Sequence, residues 1–325
     1  MARNENPLIS IVLPVYNEEA GIQHTIEILE NYVASQPEEY EILFVDDGCV
    51  DRSAAMIQEA EQQYDNIRLV QFSRNFGHQI AITAGIRYAS GDAVVVMDAD
   101  LQDPPSVIPA MVKQWQDGYD VVYGKRLQRD GESWFKKFSA SAFYRILHRL
   151  ANIDIPLDTG DFRLMDRRVV NVLAKMDEPD PFVRGMVSWV GFKQTAVEYE
   201  RDERTAGTTK YPLSKMLHLS MNGITSFSDV PLKLVNVIGA IVIAIGLVYG
   251  FISLFTGFAT LQFAIVSMFE LFGISLLMVG IVSAYLYRIF ETSRERPLYV
   301  VAKTSGFKHP RQHQPQPIIK KVKSM

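Results

Sequence analysis

Asp98 and Asp100 stand one residue apart in the stretch AVVVMDADLQDPP, residues 93–105. The apolar run Val94–Met97 stops at this pair, and Pro104 and Pro105 prevent a strand from continuing. Two carboxylates at the C-terminal end of a strand offer hard oxygen ligands to a divalent cation. In open α/β sheets the same edge is where ligands bind. The spacing points to Mg²⁺ or Mn²⁺ held against a diphosphate. Short Asp-x-Asp sequences also close turns and cap helices, so the pair needs support from the rest of the chain. Glu18, Asp46 and Asp47 supply some, since each follows another apolar run. Several carboxylates at one sheet edge repel one another unless a cation or hydrogen-bond donors are present.

The elements that must position these acids are legible over residues 9–123. ISIVLPVY, EILFVDD, IRLVQFS, AVVVMDAD and DVVYG read as five strands. Helical stretches lie between them, near residues 19–35, 52–64, 77–90 and 104–118. Strand–helix alternation of this kind predicts βαβ units and a mostly parallel, Rossmann-like sheet covered on both faces. The first strand is followed by PVYNEEAG and not by GxGxxG, which disfavours a dinucleotide-dependent dehydrogenase.

Beyond the fifth strand the chain turns basic, with Lys125, Arg126, Arg129, Lys136 and Lys137. Such a run is commonly a solvated helix face, but its place beside the sheet edge suits a second phosphate. TGDFR, residues 159–163, reads as a turn before a helix, in which Asp161 is either a cap or a catalytic carboxylate. A further strand in FKQTAVEYERDER leads to a loop carrying Arg201, Arg204 and Lys210.

Net charge is −4 over 325 residues, so nothing global suggests a nucleic-acid partner. A single cysteine, Cys49, excludes an intrachain disulfide framework. The N-terminal residues show no signal-peptide pattern. Residues 234–269 carry no charge and neither do residues 271–287, so two spans are expected near 234–256 and 263–287. Glu270 falls inside or beside the second. Residues 213–227 place Leu213, Met216, Leu217, Met221, Ile224 and Phe227 at helical spacing, as in a helix lying in a bilayer interface. Arg288, Arg294 and Arg296 follow the second span, and the short inter-span loop has no Lys or Arg. The positive-inside rule then places both termini and the N-terminal domain in the cytoplasm. The expected organisation is a domain over residues 1–211, an interface helix over 212–230, two transmembrane helices over 231–290 and a basic tail over 291–325.

The order of these pieces resembles the family-2 glycosyltransferases of GT-A fold. More narrowly it resembles the polyprenyl-phosphate glycosyltransferases related to dolichol-phosphate mannose synthase and the GtrB-type bactoprenol glucosyltransferases. The carriers are VLPVYNEE, FVDDG with DRS, FSRNFGHQIAITAG, MDADLQDPP, GDFRLMDR, the RxxR…GTTKY loop and the C-terminal YLYRIFETSRERPLY. Cys49 departs from the serine usual after Asp-Asp-Gly, and the QxxRW signature of processive synthases is absent. The resemblance implies that Pro14, Tyr16, Glu18, Asp46, Asp47 and Asp98 bind the nucleotide. It implies a metal, Mg²⁺ or Mn²⁺, at Asp98, Asp100 and Gln102, with Asp100 and Asp161 catalytic. Arg201, Arg204 and Lys210 would close over the donor diphosphate, and Lys125, Arg126 and Lys137 would receive a lipid phosphate. The implied reaction is inverting transfer of one sugar, glucose from UDP-glucose, to undecaprenyl phosphate at the cytoplasmic face of a bacterial inner membrane, by a homo-oligomer. GDP-mannose, UDP-N-acetylglucosamine and a UDP-aminoarabinose donor stay open, as does a non-catalytic sugar-nucleotide-binding scaffold.

Overall fold

The computed structural model describes residues 3–4, 6–127, 159–200 and 261–307, together with nine helical positions between 235 and 251. Within 261–307 the side chains of 261–266, 269–270, 276, 288 and 291–292 are outside the description. The chain forms two compact units, one from residues 1–141, 154–211 and 297–325, the other from 142–153 and 212–296.

The first unit is built on one sheet of eight strands. In chain order they are β1 (Leu8–Val15), β2 (Glu39–Asp46), β3 (Ile67–Phe72), β4 (Ala93–Val96), β5 (Val121–Arg126), β6 (Thr159–Asp166), β7 (Gln194–Tyr199) and β8 (Val301–Ser305). Their spatial order is β7-β5-β6-β4-β1-β2-β3-β8. The helices are α1 (Ile22–Ala34), α2 (Ser53–Glu61), α3 (His78–Tyr88), α4 (Ile108–Gln116, entered through a 3₁₀ turn at Pro105–Val107), α5 (Arg167–Leu173) and α6 (Val183–Trp189). β4, β1, β2 and β3 pair in parallel, as strand–helix alternation requires. Their inner positions Ile9, Ile11, Leu13, Ile42, Phe44, Val95 and Met97 are buried and centre the core. The predicted helices near 19–35, 52–64, 77–90 and 104–118 are all present, shortened by a few residues at their ends.

Two strands depart from the expected pattern. TGDFR is not a turn before a helix but the start of β6, which runs antiparallel between β4 and β5 and is buried at every position. A strand buried on both faces shows no alternation of polar and apolar residues, and its charged residues find partners inside the fold. The acid that caps the following helix is Asp166, whose carboxylate accepts the Arg168 N–H at 2.9 Å. The second departure is β8, which lies in the segment expected to be a basic tail and pairs antiparallel with β3 at the sheet edge.

In the second unit residues 235, 237–239, 241, 244–245, 248 and 251 are helical, and α7 (Leu261–Ser293) is one continuous helix. A Cβ on Gly239 would stand 3.4 Å from Met278 Cε, so the two helical segments pack there. Large apolar side chains stand exposed along both, among them Ile241, Ile245, Val248, Phe272, Leu277, Val279 and Leu286. Among the described residues no helix is long and apolar enough to cross a membrane. The expected interface helix at 212–230 lies outside the described residues.

α3 packs closely against the sheet at Gly85. A Cβ there would come within 2.1 Å of Val12 Cγ1 and 3.3 Å of Val45 Cγ2. Val12 is short, β-branched and fully buried, so it cannot yield. Gly85→Ala is expected to destabilise the domain by about 1–3 kcal/mol through overpacking, despite the better helix propensity of alanine. Adding Val12→Ala to that variant should cost less than the two single changes summed. Denaturant titration of the three variants checks this.

Candidate active site

The strands deliver their acids to one edge. Asp46 ends β2, Asp47 follows it, and Asp98 and Asp100 follow β4. Because β6 is antiparallel to β4, its beginning reaches the edge where β4 ends. The register pairs Val96 with Arg163, and two more steps bring Asp161 level with Asp98. Lys125 and Arg126 end β5 beside them.

Asp161 is 8% exposed and accepts hydrogen bonds on both oxygens. Arg184 Nε donates to Oδ1 at 2.8 Å and its Nη2 to Oδ2 at 3.0 Å, a bidentate ion pair from α6. Gln79 Nε2 donates to Oδ2 at 3.1 Å, while Gln79 Oε1 accepts the Val183 N–H at 3.1 Å. The side chain of Gln79 thus ties α3 to the start of α6 and to the acid that α6 neutralises. His78 Nε2 stands 3.5 Å from Asp161 Oδ2 and 3.5 Å from Asp98 Oδ1. Burial works against the Asp161 anion, but Arg184 and His78 outweigh it and hold the carboxyl well below the ordinary range. Against its own burial, His78 is pushed up to about 9 by Asp161 and Asp98. An acid so stabilised as an anion is a weak proton acceptor. Its geometry suits an anchor for Arg184, Gln79 and His78 better than a general base.

Asp98 differs. Burial, and then the charges of Asp161, Asp103 and Asp100, push its carboxyl up from the ordinary value, against the pull of His78. Asp100 folds back over its own turn, its Oδ1 accepting the Gln102 N–H at 3.2 Å, with Leu101 in the left-handed region at φ 53°. Among the described residues no group of three or more His, Cys, Asp or Glu side chains is arranged to hold a metal. The donor set therefore does not form a closed protein cage. It does fit a cation that shares two carboxylates with phosphate oxygens and water, as Mg²⁺ sites commonly do, and the repulsion around Asp98 is what such a cation would relieve.

The expected nucleotide residues divide into two kinds. Asp47 is used up inside the protein: it accepts the Phe76 N–H at 2.7 Å, the Gly77 N–H at 3.0 and 3.1 Å and Asn75 Nδ2 at 3.0 Å. Asp46 Oδ1 accepts the Cys49 N–H at 2.7 Å, and its buried Oδ2 has no hydrogen-bond partner among the described residues. Gly48, between them, is at φ +71°, and a Cβ there would come 2.2 Å from the Arg74 carbonyl carbon. Cys49 Sγ accepts the Asn17 N–H at 3.1 Å and donates to the Val15 carbonyl oxygen at 3.6 Å. Pro14 is buried in β1, paired with Val45, and Tyr16 stands exposed. The backbone N–H of Glu18 donates to Ser53 Oγ at 2.9 Å.

Of the basic residues, Lys125 pairs with Glu198 at 2.8 Å on the surface, a contact of about 0–1 kcal/mol that a phosphate can replace. Arg126 lies 3.5 Å from Asp103 and 3.3 Å from Tyr199 Oη, and Tyr199 Oη makes a short hydrogen bond to the same aspartate. Lys137, Arg201, Arg204 and Lys210 lie outside the described residues. Sequence reasoning assigned no role to His78, Gln79, Asp103 or Arg184. The first two sit in the quoted FSRNFGHQ stretch and Asp103 in MDADLQDPP, whereas Arg184 carries no local signal.

A family model for glycosyl transferase family 2 matches residues 10–173, from β1 through α5, and so takes in all five aspartates of the edge. The chain belongs to glycosyl transferase family 2. This glycosyltransferase is 51% identical over 316 residues to an uncharacterized glycosyltransferase, YkcC, of Bacillus subtilis, covering 94% of this chain and 97% of the relative. A second uncharacterized glycosyltransferase, from Synechocystis, is 41% identical over 93% of this chain and 96% of its own. The bactoprenol glucosyl transferase of Shigella phage SfV is 37% identical over 90% of this chain and 97% of its own. Among solved structures, mannosyl-3-phosphoglycerate synthase from Rubrobacter xylanophilus matches 68% of this chain and 73% of that chain at 18% identity, with a TM-score of 0.47.

The Asp161 network sets a pH dependence. A carboxyl held below its ordinary value stabilises the fold fully above about pH 4, the unfolded value, and loses that contribution as pH falls further. Arg184→Gln removes the ion pair, so the acid-dependent part of the stability should shrink. The variant should also be about 3–5 kcal/mol less stable at neutral pH, where it leaves a buried charge poorly matched. Urea midpoints measured from pH 3 to pH 7 on both proteins test the sign and the size.

Proposed function

We propose that this glycosyltransferase transfers one glucose from UDP-glucose to a polyprenyl phosphate, with inversion, at the cytoplasmic face of a membrane. The observation that carries the reading is the single sheet edge where Asp46, Asp98, Asp100 and the cationic end of β5 meet. The likeness to a protein named bactoprenol glucosyl transferase over nine-tenths of both chains supports the acceptor and the sugar.

In this reading the free Oδ2 of Asp46 accepts a ring N–H of the donor's base. Asp98 and Asp100 would hold Mg²⁺ or Mn²⁺, which would supply positive charge to the departing diphosphate. A non-ester oxygen of the acceptor phosphate forms the new bond to the anomeric carbon, and the bond from that carbon to the diphosphate oxygen breaks. A phosphate monoester, with a second pKa near 6, is mostly dianionic at neutral pH. The nucleophile therefore needs no strong base, in keeping with the weak basicity of Asp161. Asp161 instead fixes Arg184 and His78 around the reacting groups, and Lys125 and Arg126 face the acceptor phosphate. Gln102 closes the turn with Asp100 and would stand beside the cation that the two aspartates would hold. Arg201, Arg204 and Lys210 would bring positive charge to the donor diphosphate, and Lys137 to the lipid phosphate.

Membrane insertion of residues 231–290 is part of the proposal. It is supported by the uncharged runs 234–269 and 271–287 and by the exposed apolar side chains of α7. Extracting an isoprenoid from a bilayer costs about 0.8 kcal/mol per CH₂, so the enzyme has to work where the lipid is. Assembly into a homo-oligomer belongs to the same proposal.

A donor screen decides the chemistry. Full-length protein in detergent, given undecaprenyl phosphate and one nucleotide sugar at a time, should yield a hexosyl lipid from UDP-glucose. A lipid product formed in preference from GDP-mannose, UDP-N-acetylglucosamine or a UDP-aminoarabinose donor would reassign the sugar. UDP binding with no lipid product from any donor would overturn the transfer itself. Asp100→Ala should lower turnover by at least roughly 100-fold, the scale of losing one electrostatic stabiliser, and should abolish the Mn²⁺ dependence of UDP binding seen by calorimetry.

A further inference from the structure

The segment that follows α7 has no place in the mechanism above, yet it grips the helix that carries His78. Val300 O accepts the Ser73 N–H at 2.9 Å, just where β3 ends. The ring of Tyr299 stacks on Phe72, with centroids 4.9 Å apart and planes 18° apart, and is 93% buried by its surroundings (7% exposed). Phe72 meets Phe76 edge to face at 5.6 Å, and the Arg74 guanidinium covers the Phe76 ring at 4.0 Å. The pairing of β3 with β8 shifts register between Gln71 and Phe72, a bulge that turns the end of β3 toward this contact.

The same segment also reaches the far end of α3. Arg87 lies over the Tyr299 ring at 6.0 Å, and Phe307 packs against Tyr88 at 5.9 Å. α3 is thus held at its entry, through residues 73–77, and again in its last turn. A helix fixed at both ends cannot slide along its axis, and its first two residues are His78 and Gln79. His78 faces Asp98 and Asp161, and Gln79 bridges Asp161 to α6. Asp47 closes the arrangement from the other side, accepting the Phe76 and Gly77 N–H groups.

We propose that residues 299–307 are a positioning element of the active site, with Tyr299 as its positioning residue, setting the place of His78 and Gln79 without touching substrate. The proposal rests on the glycosyl-transfer reading only in supposing that the place of His78 matters to turnover.

The test uses the full chain in detergent. In Tyr299→Ala, amide exchange at residues 73–78 should speed by at least about tenfold, with exchange in β1 and β2 unchanged. Turnover should fall roughly ten- to a hundredfold, the scale of a 1 Å misplacement, while KM for the nucleotide sugar stays within about threefold. Tyr299→Phe keeps the stacked ring and should restore both readouts. If the alanine variant does not fold, Tyr299→Leu keeps apolar bulk without the ring and serves in its place. Unchanged exchange at 73–78 overturns the proposal, and so does faster exchange with unaltered turnover. Absence of lipid product from the unmutated protein would sink the glycosyl-transfer reading, and the exchange result would then decide by itself whether the segment holds α3.

Discussion

Asp46, Asp47, Asp103 and Asp161 are all buried at or near one edge of the sheet, and a buried carboxylate is costly unless donors or opposite charges surround it. Much of the local architecture follows from how each is matched. Asp47 takes backbone N–H groups and so fixes the turn before α3. Asp103 takes Tyr199 and Arg126 and so joins the turn after β4 to the ends of β5 and β7. Asp161 takes Arg184, Gln79 and His78 and so locks α3 to α6. Loops that would otherwise move are pinned because the acids beneath them need partners. The acids left incompletely matched, Asp46 and Asp98, are the ones to which the proposal assigns the donor's base and the cation.

The opposite edge of the sheet makes the contrast plain. Glu41, near the start of β2, is also buried, and it accepts hydrogen bonds from Ser10 and from the Ser90 N–H. Ser10 in turn accepts the Gly91 N–H. That acid clips together the starts of strands. The two ends of one sheet therefore carry similar groups with different degrees of satisfaction, and the proposed chemistry is assigned to the less satisfied end.

Much of this was readable from residue order. The five N-terminal strands announced themselves through short Val- and Ile-rich runs, the helices through their spacing, and Asp98 and Asp100 through the abrupt end of β4. What stayed hidden shares one cause: pattern is local, and the missing features depend on distant partners. β6 looked like a turn because Asp161 and Arg163 sit in a buried strand, where only the completed sheet neutralises them. Arg184 lies 23 positions from Asp161 and His78 lies 83 from it in the opposite direction, so nothing in either neighbourhood links them. β8 was invisible because the basic residues around it suggested a solvated tail, and only its pairing with β3 makes Val301–Ser305 a strand.

The position of β8 bears on how the protein is made. β3 is a parallel strand whose outer edge stays bare until Val301–Ser305 arrives, and bare edges invite wrong pairing. Domains fold as they emerge, N-terminal parts first, so the outer edge of β3 waits open while residues 73–300 are still being added. Its last strand is delivered only after the long helix α7 has been synthesised. Chains that terminate early, or whose C-terminal helices go astray, would keep an unfinished edge. Completion of the sheet thus reports that synthesis has passed α7 and reached Ser305, a form of quality control written into the order of the elements.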